Sequence, residues 1–207
     1  MEPFLVHRGV AAPMLQPNID TDAIIPSREM KRVSKQGLGE GLFAGRRYIQ
    51  AGSRELAPDF VLNRPEYAGC TILLAGDNFG CGSSREHAVW ALAEFGIRAI
   101  IAPGFGGIFY GNCTRNGILP VRLPESVIDD LVSQVKADPQ QQLLEIDLPN
   151  SVVNAPDGSR HVFELEGAPR QMLQEGLDPI ALTLKMDEQI SAFATKRKAA
   201  FPWFWSS

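Results

Sequence analysis

The stretch that most restricts the fold runs from Cys70 to Ala102. Cys70-Thr71-Ile72-Leu73-Leu74-Ala75 is mostly apolar and is followed by a turn containing Gly76, Gly80 and Gly82. An apolar-rich segment, Ala88 to Phe95, comes next, then Gly96, then a second apolar run, Arg98 to Ala102. Strand, glycine turn, helix, strand is a βαβ unit, whose strands lie parallel with a right-handed crossover. Gly96 suits a helix C-cap. The fold class is therefore α/β.

The flanking sequence extends this reading. Residues 5–15 predict a strand leading into a polar turn at Asn18, and residues 107–116 a short helix. Val127, Ile128, Leu131, Val132 and Val135 mark one face of a helix from Glu125 to Ala137. Leu143 to Leu148 alternates as a strand. Val152-Val153 and Val162 to Leu165 flank Ala155-Pro156-Asp157-Gly158, a hairpin signature. Two or three helices close the chain, ending in Phe201-Pro202-Trp203-Phe204-Trp205, which is expected to pack on the domain. Residues 27–54 carry Gly37, Gly39, Gly41 and Gly45 with little periodicity, so a long loop with short helical pieces is expected there. At 207 residues and 44% hydrophobic content, residues 1–207 are expected to form one compact domain.

The turn between strand and helix has its own chemistry. Ser83 and Glu86 have capping-box spacing, which predicts a helix beginning at Ser83. Ser83, Ser84 and Arg85 would then stand at the positive end of a helix, where free N–H groups favour an anion. No lysine completes a Walker loop, and Arg85 occupies the place of the third glycine of a dinucleotide fingerprint. A carboxylate or phosphate site is the positive reading; a capped turn without a ligand is the alternative.

Three motifs occur in order: Asn18-Ile19-Asp20-Thr21-Asp22-Ala23-Ile24-Ile25-Pro26, Gly82-Ser83-Ser84-Arg85-Glu86-His87-Ala88, and Asn112-Cys113-Thr114-Arg115-Asn116-Gly117-Ile118-Leu119-Pro120-Val121. With Gly176 to Leu184 they resemble the small subunits of 3-isopropylmalate dehydratase, within the aconitase superfamily. The resemblance runs from about Phe4 into the C-terminal segment. It implies the swivelling β/β/α domain with a parallel βαβ core and C-terminal helices, residues 186–207 forming the last helix and tail. It also implies a hydro-lyase active only with a large subunit that carries a [4Fe-4S] cluster.

By that resemblance Ser83 is the candidate base and Asp22 an orienting aspartate. Arg85, Ser84, Arg32 and Arg28 are candidate ligands of a small dicarboxylate substrate. Asp20, Thr21, Gly80, Gly82, Asn112 and Asn116 would support the site. Ser83 as a plain helix cap, and the Asn18–Asp22 segment as a locally satisfied Asx turn, remain the competing readings. Glu29-Met30 stands where bacterial relatives usually have an aromatic residue followed by leucine, a pair that would lie near an isopropyl-type group.

The chemistry itself sets requirements. Dehydrating a hydroxydicarboxylate needs cations for the carboxylates, a base for a C–H proton, and a Lewis acid to assist loss of hydroxyl. His7, His87 and His161 are scattered, and Cys70, Cys81 and Cys113 are widely spaced, so no metal site is expected in this chain. Cys81, in the glycine loop, is the thiol whose setting stands out. A net charge of −4 without a long basic run argues against a nucleic-acid partner. No stretch of about 18 apolar residues predicts a membrane span, and Met1-Glu2-Pro3 does not begin a signal peptide, so a cytoplasmic protein is expected. The expected function is isopropylmalate isomerisation in leucine biosynthesis. Alternatives are a homoaconitase or methylmalate/maleate-type hydro-lyase, or a non-catalytic module binding anionic metabolites.

Overall fold

A computed structural model describes residues 1–30, 36–82 and 85–204. Seven strands form one sheet: β1 (Val6–Met14), β2 (Cys70–Ala75), β3 (Ala99–Ala102), β4 (Leu119–Arg122), β5 (Leu144–Asp147), β6 (Val152–Asn154) and β7 (Arg160–Val162). Their order is β4-β3-β2-β1-β5-β6-β7. The first four strands pair in parallel and β5 to β7 add on antiparallel, so β1 joins the two halves. The second hairpin arm, expected over Val162 to Leu165, is found at Arg160–Val162.

The parallel half is covered on both faces, as such sheets must be. Along β2, Leu73 and Ala75 face one core, with Ala88, Val89 and Leu92 of α3 (Glu86–Phe95) and Phe109 and Cys113 of α4 (Gly107–Arg115). Ile72 and Leu74 face the other core, with Ile128, Leu131, Val132 and Val135 of α5 (Glu125–Ala137). Strand periodicity thus divides a nearly continuous apolar run between two layers of helices. At roughly 25 cal/mol per Å² of apolar surface, each fully buried leucine or isoleucine here contributes about 1.5–3 kcal/mol.

Residues 27–54 contain short helical pieces, among them α2 (Ala44–Arg47), as their composition suggested. After the sheet come α6 (Gly167–Glu175), α7 (Pro179–Leu184) and α8 (Asp187–Ala200). None of the α8 side chains is buried. Phe201 and Trp203 depart from the packing expected of the aromatic tail, being 41% and 66% exposed with their rings edge to face, while Trp205 lies outside the described residues. Among the described residues no helix is long and apolar enough to cross a membrane.

Candidate active site

The loops leaving the carboxyl ends of β1, β2 and β3 lie side by side, where open α/β sheets usually bind ligands. Backbone hydrogen bonds stitch them together. Asn18 N donates to Asp77 O, Gly80 N to Ile19 O, Thr21 N to Cys81 O, and Phe79 N to Gly104 O, all within 2.7–3.1 Å. Asn78 Nδ2 adds a side-chain bond to Asn18 Oδ1 at 2.8 Å. Gly80 and Gly82 sit at φ +72° and +87°, and a Cβ at Gly80 would collide with the Phe109 ring. The glycines let this turn curl against α4 without a side chain intervening.

Each aspartate of the first motif has a separate task. Asp20 is the N-cap of α1 (Thr21–Ile24), its Oδ1 accepting from Ala23 N at 2.7 Å. Asp22, two residues on, points outward and accepts from Arg85 Nη1 at 2.9 Å. Ser27 Oγ receives a second bond from the same Nη1 at 2.8 Å and lies 3.4 Å from Asp22 Oδ1. The first two motifs, about 60 residues apart in sequence, thus meet through one guanidinium. Thr21 between the aspartates is 1% exposed, and its Oγ1 has no partner among the described residues.

The start of α3 corrects the capping-box expectation. The helix begins at Glu86, not Ser83, because Arg85 is the N-cap residue in extended conformation (φ −71°, ψ 131°). The Arg85 side chain makes no capping bond to the helix. The Glu86 carboxylate instead accepts from Asn116 Nδ2 at 2.8 Å, while Asn116 Oδ1 accepts from Trp90 Nε1 at 3.0 Å. Asn116 thereby connects the third motif to α3. Asn112, 7% exposed, presents its carbonyl to Asn116.

Family comparisons agree with this arrangement. Residues 1–126 match the profile of the aconitase C-terminal domain, and residues 180–204 match that of the C-terminal domain of 3-isopropylmalate dehydratase small subunits. The chain is 61% identical over 203 residues to the 3-isopropylmalate dehydratase small subunit of Cupriavidus necator, covering 98% of each chain. It is 46% identical over 203 residues to that of Paramagnetospirillum magneticum, covering 98% of this chain and 100% of the relative. The chain belongs to the 3-isopropylmalate dehydratase small-subunit family. A crystal structure of 3-isopropylmalate dehydratase from Methanocaldococcus jannaschii is similar with a TM-score of 0.62 and 26% identity, over 92% of this chain and 99% of that one.

For this small-subunit family member, Ser83, Ser84 and Arg32 lie outside the described residues, so the structure places Asp22 and Arg85 together and is silent on those three. Arg28 is exposed, its Nε 3.4 Å from Glu29 Oε1. The Glu29 carboxylate also accepts from Arg54 Nη2 at 2.8 Å, and Met30 packs against the core. Among the described residues no three His, Cys, Asp or Glu side chains converge in a way that fits an iron–sulfur cluster. Cys70 and Cys113 are buried: burial pushes the Cys70 thiol up to about 12, and that of Cys113 well above its ordinary value. Cys81 is a half-buried free thiol in the glycine loop. Sequence reasoning missed Ser27; a serine after proline reads as an ordinary turn residue, and only the fold brings it to Arg85.

Proposed function

We propose that this chain is the small subunit of an isopropylmalate isomerase, interconverting 2- and 3-isopropylmalate in leucine biosynthesis together with a large subunit. The observation that carries the reading is the Asp22–Arg85 pair at the carboxyl ends of β1 and β2 in a member of this family. Nη1 of Arg85 is taken by Asp22 and Ser27. Among the described residues that leaves the Nε–Nη2 edge, the side of the guanidinium that matches a carboxylate bidentately. The N-terminal N–H groups of α3 favour negative charge beside it.

In this reading Arg85, with Ser84, holds one substrate carboxylate, and Arg32 and Arg28 serve the other. Ser83 accepts the C–H proton next to a carboxylate. The N-cap position of α3 itself belongs to Arg85. The C–H and C–O bonds break, a C=C bond forms, and water adds back with hydroxyl on the neighbouring carbon. The [4Fe-4S] cluster of the large subunit would supply the Lewis acid that loss of hydroxyl needs. Asp22 holds Arg85 in register, and Asp20 and Thr21 shape the turn carrying it. Residues 1–207 are read as one domain acting in the cytoplasm.

Anaerobic co-expression with the large subunit, followed by assay against 2-isopropylmalate, homoaconitate and methyl-substituted malates, tests the reading. Conversion of 2-isopropylmalate to the 3-isomer is expected only in the complex. Turnover by the purified chain alone, or a complex converting only another diacid, would refute it.

A further inference from the structure

Gly37 to Gly41, within the loop of residues 27–54, rest on the helix that follows Arg85. At the far end of α3, Glu94 receives Gly37 N on Oε1 at 2.6 Å and Gly39 N on Oε2 at 2.7 Å. Burial works to raise this carboxyl's pKa, but the N–H groups of Gly37, Gly39 and Leu38 outweigh it and hold the group below its ordinary value. Gly39 lies so close to α3 that a Cβ there would stand 3.2 Å from Phe95 N. Arg47 reinforces the contact, donating Nη1 to Gly39 O at 3.0 Å with its guanidinium 4.7 Å above the Phe95 ring.

The other limb of the loop is tied by Arg54. Its Nη2 holds Glu29 Oε2 at 2.8 Å, and its Nη1 reaches Glu40 O at 3.4 Å. One guanidinium therefore bridges the outgoing limb at Glu29 and the returning limb at Glu40. The Glu29 side chain is only 11% exposed and Gly41 packs on it, so the tie is covered on the glutamate side while the Arg54 side chain stays 48% exposed. From Arg85 to Glu94 the rise along α3 is about 14 Å at ~1.5 Å per residue. A single rigid helix thus sets both the carboxylate-binding end and the footing of the loop.

We propose that Glu94 and Arg54 are positioning residues for recognition of the substrate's hydrocarbon side chain, holding the Glu29–Met30 and Gly37–Glu40 limbs in a fixed relation to Asp22 and Arg85. The inference rests on the isopropylmalate reading above and on the resemblance that sets Glu29–Met30 near an isopropyl-type group. Neither residue touches the reacting atoms.

The test uses the reconstituted complex with Glu94→Gln, Glu94→Asp and Arg54→Met. Displacing a substrate-positioning segment by about 1 Å can cost up to ~100-fold, so an increase of about tenfold in KM for 2-isopropylmalate is expected, with kcat within about twofold. KM for a methyl-substituted malate should move less than about twofold, since little of that substrate reaches the loop, and Glu94→Asp should recover part of the loss. In Glu94→Gln, amide hydrogen exchange at Gly37 and Gly39 should quicken by about tenfold or more. Unchanged exchange would overturn the anchoring. Faster exchange with unchanged KM, or equal losses for both substrates alongside a lowered Tm, would overturn the positioning role. A wild-type complex that does not convert isopropylmalate refutes the functional reading and removes this role with it. An active wild type with indifferent variants refutes this inference alone.

Discussion

Replacing Arg85 by lysine separates substrate binding from structure at the best-defined point of the site. The guanidinium spends Nη1 on Asp22 at 2.9 Å and Ser27 at 2.8 Å, leaving the Nε–Nη2 edge open among the described residues. A lysine ammonium can take over the pairing with Asp22, but it cannot also offer a planar fork. One charge-assisted contact is then lost, worth about 1.5–3 kcal/mol, which is roughly 10–200-fold in kcat/KM. The folding cost should be small. Arg85 and Asp22 side chains are 34% and 52% exposed, and screening by water limits such pairs to about 0–1 kcal/mol. For a chain of this size that is at most about 2–4 °C in Tm. Steady-state kinetics of the anaerobic complex and thermal unfolding of the same preparation supply both numbers. An Arg85→Lys enzyme with kcat/KM within about threefold of wild type would refute the proposed fork, as would activity lost only in step with stability.

Further expectations concern other parts of the chain. Ser83→Gly should abolish nearly all turnover while substrate binding persists, with stability changed by no more than about 1 kcal/mol because the N-cap of α3 is Arg85; activity comparable with Ser84→Gly would move the base elsewhere. Thiol alkylation of the folded chain at neutral pH should label Cys81 well before Cys70 and Cys113, whose thiols are buried with raised pKa values; mass spectrometry showing early modification of Cys113 would contradict the packing. His7, whose Nε2 meets Thr71 Oγ1 at 2.8 Å across β1 and β2, has its pKa lowered by burial and by Arg98. A depressed folded pKa means that its contribution is intact above about 6.5 and is lost as pH falls through the folded value. Denaturant unfolding should therefore show the advantage of wild type over His7→Gln shrinking below about pH 6.5, and a pH-independent difference would sink the assignment.

Much of the core was legible because its elements satisfy local and long-range demands at once. The apolar stripe from Val127 to Val135 defines a helix in any setting, and it is found at Glu125–Ala137. The Cys70–Ala75 run, glycine turn and following helix gave the parallel pairing of β2 with β3 for the same reason. The failures occurred where a local pattern had a distant competitor. Ser83-x-x-Glu86 reads as a capping box only while the glutamate is free to reach back, and Asn116, 30 residues away, takes its carboxylate. Hydrophobicity in Phe201–Trp205 predicted packing, but it encodes only a preference for leaving water and not which surface provides the cover. Glu94 and Arg54 carried no signal at all, since a lone charge on a helix or loop normally faces solvent. Their partners are backbone groups and a glutamate brought close only by the fold.

The charge count of the described site also bears on why the chemistry is shared between chains. Asp22 and Arg85 form a neutral pair, so their ion pair offers one open edge for one carboxylate and no net field for a dianion. The N–H groups at the start of α3 add only a partial positive charge, about half an elementary charge. Arg28 and Arg54 share the single carboxylate of Glu29, so that cluster adds only one net positive charge. A dicarboxylate settling here would remain undercompensated by the described groups alone, and the elimination step develops further negative charge on the carbon that loses its proton. Additional cationic charge must therefore come from Arg32 or from the large subunit on assembly. On this argument the described groups become complementary to the substrate only once Arg32 or a group of the large subunit adds its charge; if the large subunit supplies it, binding and catalysis would be gained together on assembly.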